Sequence, residues 1–126
     1  MTPLPLLLQH IDELRKSYEI EVSESSNEIC IVFKNYPLPT AVWNVDKTDL
    51  LILANSAYPN AKMDMFWVTP GLTLKDGKVP QSGDVIETHC GKNWQRFSWH
   101  PQSWNPVTDN LLTYLEVVNH RLHMSR

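Results

Sequence analysis

An α+β fold of two helices bracketing an antiparallel sheet is predicted by three features of the sequence. Apolar residues recur at helical spacing near both ends of the chain, short β-rich runs alternate with turn formers between them, and there is no internal repeat or composition break. At 126 residues, a chain of this size buries roughly two-thirds of its unfolded surface, so one domain over residues 1–126 with a single core is expected.

The first helix is predicted over Pro3–Tyr18. Thr2 caps it, Pro3 fits its first turn, and Leu4, Leu7, Leu8, Ile11 and Leu14 form its apolar stripe. Ile20 and Val22 alternate with charged residues, and Ser25-Ser26-Asn27 then separates them from Ile29–Phe33, giving a hairpin. Pro37 and Pro39 interrupt the strand pattern before Ala41-Val42-Trp43, and Leu50–Leu53 resume it. Tyr58-Pro59-Asn60 reads as a turn into Met63–Val68, which closes a four-stranded meander.

Pro70, Gly71, Asp76-Gly77, Pro80 and Gly83 make 69–83 a long irregular excursion. Asp84–Thr88 and Trp94–Trp99 then form a separate short hairpin about Gly91-Lys92-Asn93. Thr108 caps a last helix whose stripe is Leu111, Leu115, Val118 and Leu122, ending near Met124.

Composition narrows the class of function. Hydrophobic residues are 42% and charged residues 20%, values of an ordinary globular protein. A net charge of −3 without a Lys/Arg run argues against nucleic acid, which needs a basic face. No apolar stretch approaches the ~20 residues of a membrane span, and the start lacks a basic secretory n-region, so a cytoplasmic protein is expected. Cys30 and Cys90 are accordingly expected to be reduced. His10, His89, His100, His120 and His123 lack metal-ligand spacing, and neither metal nor cofactor is expected.

The run Tyr58–Val68 resembles the Tyr-Pro turn leading into the fourth strand of the ubiquitin-conjugating fold. Trp94–His100, followed by Trp104-Asn105-Pro106, resembles the segment before the last helix in a bacterial branch of that superfamily, encoded beside ubiquitin-like proteins, activating enzymes and peptidases. The resemblance covers about Ile20–Leu122. It implies an acyl carrier that accepts the C-terminus of a ubiquitin-like protein from an activating enzyme, bound largely through the first helix, and passes it to an amine. The His-Pro-Asn triplet of the eukaryotic enzymes is missing, His100-Pro101-Gln102 being an approximate echo, and the nucleophile position falls near Arg96–Ser98, where no cysteine stands.

Two residues compete for the nucleophile. Cys90 lies between His89 and Gly91, where an imidazole would lower a thiol pKa; a half-buried cysteine at a strand end is the competing explanation. Ser98 stands closer to the family position and would carry the acyl group as an oxyester, with His100 as general base on the same face if the strand continues; a surface serine on a half-buried strand fits equally. Trp99 and Trp104 are the aromatic candidates for partner binding, and Asn105 a candidate oxyanion donor. An inert binding module of the same fold, recruiting the ubiquitin-like protein or its activating enzyme, is the alternative. Oligomeric state is left open by the sequence.

Overall fold

A computed structural model describes residues 5–126, so Thr2, Pro3 and Leu4 of the predicted first helix lie outside the described residues. The element order is α1 (Pro5–Leu14), β1 (Glu19–Ser25), β2 (Glu28–Pro37), β3 (Lys47–Ala54), β4 (Met65–Val68), β5 (Val85–His89), β6 (Lys92–Ser98) and α2 (Leu111–Leu122). All six strands form one sheet in the order β1-β2-β3-β4-β6-β5, every neighbouring pair antiparallel. The α+β class and the meander are as the patterning predicts.

The expected separate hairpin is instead part of the sheet. β6 pairs with β4 through Met65↔Ser98 and Phe66↔Phe97, which makes the sheet six-stranded rather than four-stranded. Phe97 drives this docking: its ring stacks on Phe66 at 4.9 Å and meets Trp43 edge-on at 6.0 Å, all three buried. Ala41–Trp43 is not a strand, because Pro37 and Pro39 turn the chain out of the ladder; Trp43 makes only an isolated bridge to Leu74.

Strand alternation sorts side chains onto two faces. Ile29, Ile31, Phe33, Leu50, Ile52, Phe66, Val68 and Phe97 pack with Leu7 and Ile11 of α1 and with Leu111, Leu115, Val118 and Leu122 of α2. α1 stops at Leu14, where a turn leads into β1, short of the expected Tyr18. α2 starts at Leu111, not after Thr108: Asn110 Oδ1 accepts from the N–H groups of Leu112 and Thr113, and Thr113 answers the Asn110 N–H in a capping box. Among the described residues no helix is long and apolar enough to cross a membrane.

The opposite face has a smaller cluster of Cys30, Leu51, Trp67 and Trp94, to which neither helix contributes. Here Cys30 and Cys90 are joined in a disulfide, with Cα atoms 6.5 Å apart, which corrects the expectation of a reduced pair. Cys90 and Gly91, at φ 56° and 81°, form the two-residue turn between β5 and β6, one step earlier than the expected Gly91–Asn93. That turn folds back over the sheet far enough to bring Cys90 to Cys30.

The crosslink spans 60 residues of sequence, and closing a loop of that size in the unfolded chain is worth about 4 kcal/mol in the chain-entropy model. Reduction is therefore expected to lower the unfolding free energy by about that amount, read from urea titrations with and without a thiol reductant. Coincident titrations would mean that the bond adds nothing to stability.

Candidate functional site

The site is the end of the open face where β3, β4, β6 and β5 run side by side. Trp67, Arg96, Glu87 and His89 project there from three neighbouring strands. Glu87 Oε1 accepts from Trp67 Nε1 and pairs with His89 Nε2, both at 3.0 Å, while Glu87 Oε2 accepts from Arg96 at 2.6 Å. The His89 ring meets Trp67 edge-on at 4.8 Å. The hydrogen bond from His89 is the largest influence holding the Glu87 carboxyl below the usual carboxylate range, followed by that from Trp67, with Arg96 adding its charge. Glu87 is thus an anion fixing an imidazole, an indole and a guanidinium.

Beside this cluster lies a cavity of about 390 Å³, bounded by Leu53, Met65 and Trp67 and by Glu87, His89 and Arg96, with the 55–64 loop as its other wall. Ser98 adjoins two of these residues. Met65 is its cross-strand partner, and Arg96, two residues before it on β6, shares its face by strand alternation. Ser98 is exposed, the last residue of β6, and its N–H donates to Ser82 O at 2.9 Å.

Beneath it the backbone is held from the core side. Gly83 is buried against Phe97, where a Cβ would come within 2.6 Å of the ring, so this close approach requires glycine. Gln95, 5% exposed, accepts from the N–H groups of Gly71 and Leu72 and donates to the carbonyls of Leu72 and Gly83. One buried amide therefore fastens both ends of the 69–84 excursion to β6.

The predicted residues divide into two groups. Ser98 and His100 are both exposed and two residues apart, but β6 ends at Ser98, so the alternation that would carry His100 beside it stops. Among the described residues no hydrogen bond joins them, and the N–H groups of His100 and Gln102 have no protein acceptor. Cys90 lies at the far end of β6 from Ser98 and its sulfur is bonded to Cys30, so it presents no thiolate in this state.

Trp99 is half-buried. Its carbonyl accepts from Tyr114 Oη at 2.9 Å, and its ring lies 5.0 Å from the Arg121 guanidinium, which is itself fully buried and donates to the carbonyls of Gln81 and Arg126. Burial, with the nearby charge of Arg126, lowers the Arg121 pKa to about 10, so it remains a cation at neutral pH. Trp104 Nε1 donates to Pro59 O at 2.8 Å. Asn105 organises its own turn: its Oδ1 accepts from Val107 N–H and its carbonyl from Thr108 and Asp109 N–H.

Glu87, Arg96, Trp67 and Gln95 were missed by sequence reasoning as parts of the site. The two-residue period of Trp94, Arg96 and Ser98 was a signal for a shared face, but reading it required the β5–β6 register and the β4–β6 pairing.

An antiparallel sheet with both helices on one face, a Tyr-Pro turn and a Trp-x-Pro segment is consistent with a ubiquitin-conjugating-enzyme-like fold. The model of prokaryotic E2 family E matches residues 8–125, and the chain belongs to that family. Comparison with curated proteins and with solved structures gave no significant match.

The charged cluster carries a pH dependence of defined sign. Because the Glu87 pKa is lowered on folding, its contribution is present above the ordinary carboxyl value of 4.5 and is lost as pH falls through the folded value. Glu87→Gln is expected to cost about 1–3 kcal/mol at pH 7, since Arg96 loses its ionic partner, and to flatten the acid limb. Urea midpoints of wild type and variant at pH 7 and pH 3.5 check this; an equal gap at both would show that the Glu87 charge is immaterial.

Proposed function

We propose that the protein is an acyl carrier for a ubiquitin-like protein, accepting its C-terminus from an activating enzyme on Ser98 as an oxyester and passing it to an amine. The observation that carries this reading is the position of Ser98, exposed at the end of β6 and paired with Met65 on the open face, within the segment that matches the family.

In the first step the Ser98 oxygen attacks the carbonyl carbon of the activating enzyme's thioester. The C–O bond forms, the C–S bond breaks, and the serine proton leaves through a general base as the thiol is released. His100 is the base assigned to this step, through a water or a small movement of the 99–110 segment, and the N–H groups of His100 and Gln102 are the donors available to the oxyanion. In the second step an amine attacks the ester carbon, C–N forms, C–O breaks and Ser98 regains its proton. α1 exposes Leu6 and Leu8, which supports its role as the docking helix for the activating enzyme; Trp99 and Trp104 border the acyl path rather than project from it.

Two observations favour a second reading, an inert binding module of the same fold: Ser98 and His100 are not hydrogen-bonded, and Cys90 is bonded to Cys30.

Intact mass after incubation with the activating enzyme, ubiquitin-like protein and ATP separates the two. An adduct that resists thiol reductant, disappears in Ser98→Ala and forms at least tenfold more slowly in His100→Ala is expected. Binding without any adduct would leave the inert module, and a reductant-labile adduct lost only in Cys90→Ala would move the nucleophile to Cys90.

A further inference from the structure

The two edges of the sheet are finished differently. β1 carries Glu19, Glu21 and Glu24 among serines, so an incoming strand meets carboxylates, one of the usual defences of an exposed edge. β5 begins instead with Val85 and Ile86, 39% and 54% exposed, and contains no proline, lysine or bulge. Among the described residues its main chain bonds only to β6 and, at the His89 carbonyl, to the Trp94 indole. Its outer row of backbone donors and acceptors is a template for one more strand.

We propose that this edge takes up the extended C-terminal tail of the ubiquitin-like protein as a seventh strand, antiparallel to β5. The proposal rests on the reading of Ser98 as the acyl acceptor, because that reading fixes the direction. β5 and β6 are antiparallel, and Ser98 at the end of β6 is level with the entry to β5, since its N–H donates to Ser82 O. A tail whose terminal carbon must reach Ser98 therefore runs from the His89 end towards the Val85 end. The added strand lies two strand spacings from β6, about 10 Å, which three extended residues of roughly 3.3 Å each can cross.

Val85 pairs with Arg96 and Ile86 with Gln95, so the two apolar side chains stand on opposite faces. The matching tail carries two consecutive apolar residues, one packing on each face, upstream of a terminal stretch of about three residues that crosses to Ser98.

The size of the edge argues against a second copy as the occupant. Five residues span roughly 17 Å, and pairing two such strands buries far less than the about 1,000 Å² of a stable interface. A tail escapes that limit, because contacts of its own folded module and, after transfer, the acyl bond raise its local concentration.

The test uses the full chain with the ubiquitin-like protein, intact or lacking its last eight residues, without activating enzyme or ATP. Amide hydrogen exchange should slow by at least tenfold over 85–89 with the intact partner and not with the truncated one. Ile86→Lys and Val85→Lys should each weaken binding of the intact partner at least tenfold at unchanged thermal midpoint. Protection confined to β1 or to the open face, or equal binding by Ile86→Lys, would overturn the proposal. So would a dimer of the chain alone that Ile86→Lys abolishes, which would assign the edge to a second copy. The two readings fail separately: protection without an adduct removes the acyl step and leaves the docked tail, whereas an adduct without protection leaves Ser98 and removes the edge.

Discussion

The packing of Phe97 positions everything at the candidate site. Its ring lies between Phe66 and Trp43, with Gly83 pressed against one side and the Arg121 guanidinium 5.3 Å away. Burying a phenylalanine contributes roughly 2–3 kcal/mol, and here the same contact fixes the register of β6 on β4. Because successive strand residues alternate, burying Phe97 obliges Ser98 to face the open side. A shift of one residue would turn the serine into the core and the phenyl ring to solvent, so the core and the exposure of the hydroxyl are set by one choice.

A second constraint ties the two segments that carry the family resemblance. The Tyr58 hydroxyl accepts from the Leu111 N–H at 2.6 Å and meets His10 Nδ1 at 2.7 Å, so it bridges α1 to the first turn of α2. Burial pushes its pKa up to about 12, only partly offset by the Leu111 amide, which keeps it a neutral phenol. The next carbonyl, that of Pro59, accepts from Trp104. The Tyr-Pro turn and the Trp-x-Pro segment, 45 residues apart in sequence, are therefore one structural unit. It anchors the chain that leaves Ser98 before α2 begins.

The parts legible in the sequence were those governed by local periodicity. The stripe of α2, the inward side of α1 at Leu7 and Ile11, the β1–β4 meander and the exposure of Ser98 all follow from spacing or alternation within one segment. What was not legible depends on pairing over distance. Nothing local tells Phe97 to stack on Phe66, or Gln95 to satisfy the main chain of Gly71, Leu72 and Gly83, so the hairpin was read as separate from the sheet. Glu87 likewise looked like one more surface carboxylate until the register set it between Trp67, His89 and Arg96. Cys30 and Cys90 were misread because a compartment argument was applied where the fold of a two-residue turn decided their approach. The cap at Asn110 was missed because Thr108 offers the same chemistry two residues early.

The division of the sheet into a closed face and an open one limits where transfer chemistry can occur. α1 and α2 seal one face, and the disulfide and Trp94 close much of the other at the β2 end, leaving the ground around Ser98 and the outer side of β5. On the proposed reading, an oxyester formed there would be lower in free energy than the thioester supplying it, so charging would be downhill and discharge slow. A site with an exposed hydroxyl, no base already bonded to it and firm backbone support beneath it suits a carrier that holds its acyl group until an acceptor arrives. In such a carrier an approaching partner supplies what the resting site lacks, by moving the His100 segment towards Ser98 or by bringing its own base. Under that proposal the rigidity conferred by Phe97, Gln95 and Gly83 would matter more than a preassembled relay, because an ester carbon on Ser98 would have to stay in place while the acceptor docks.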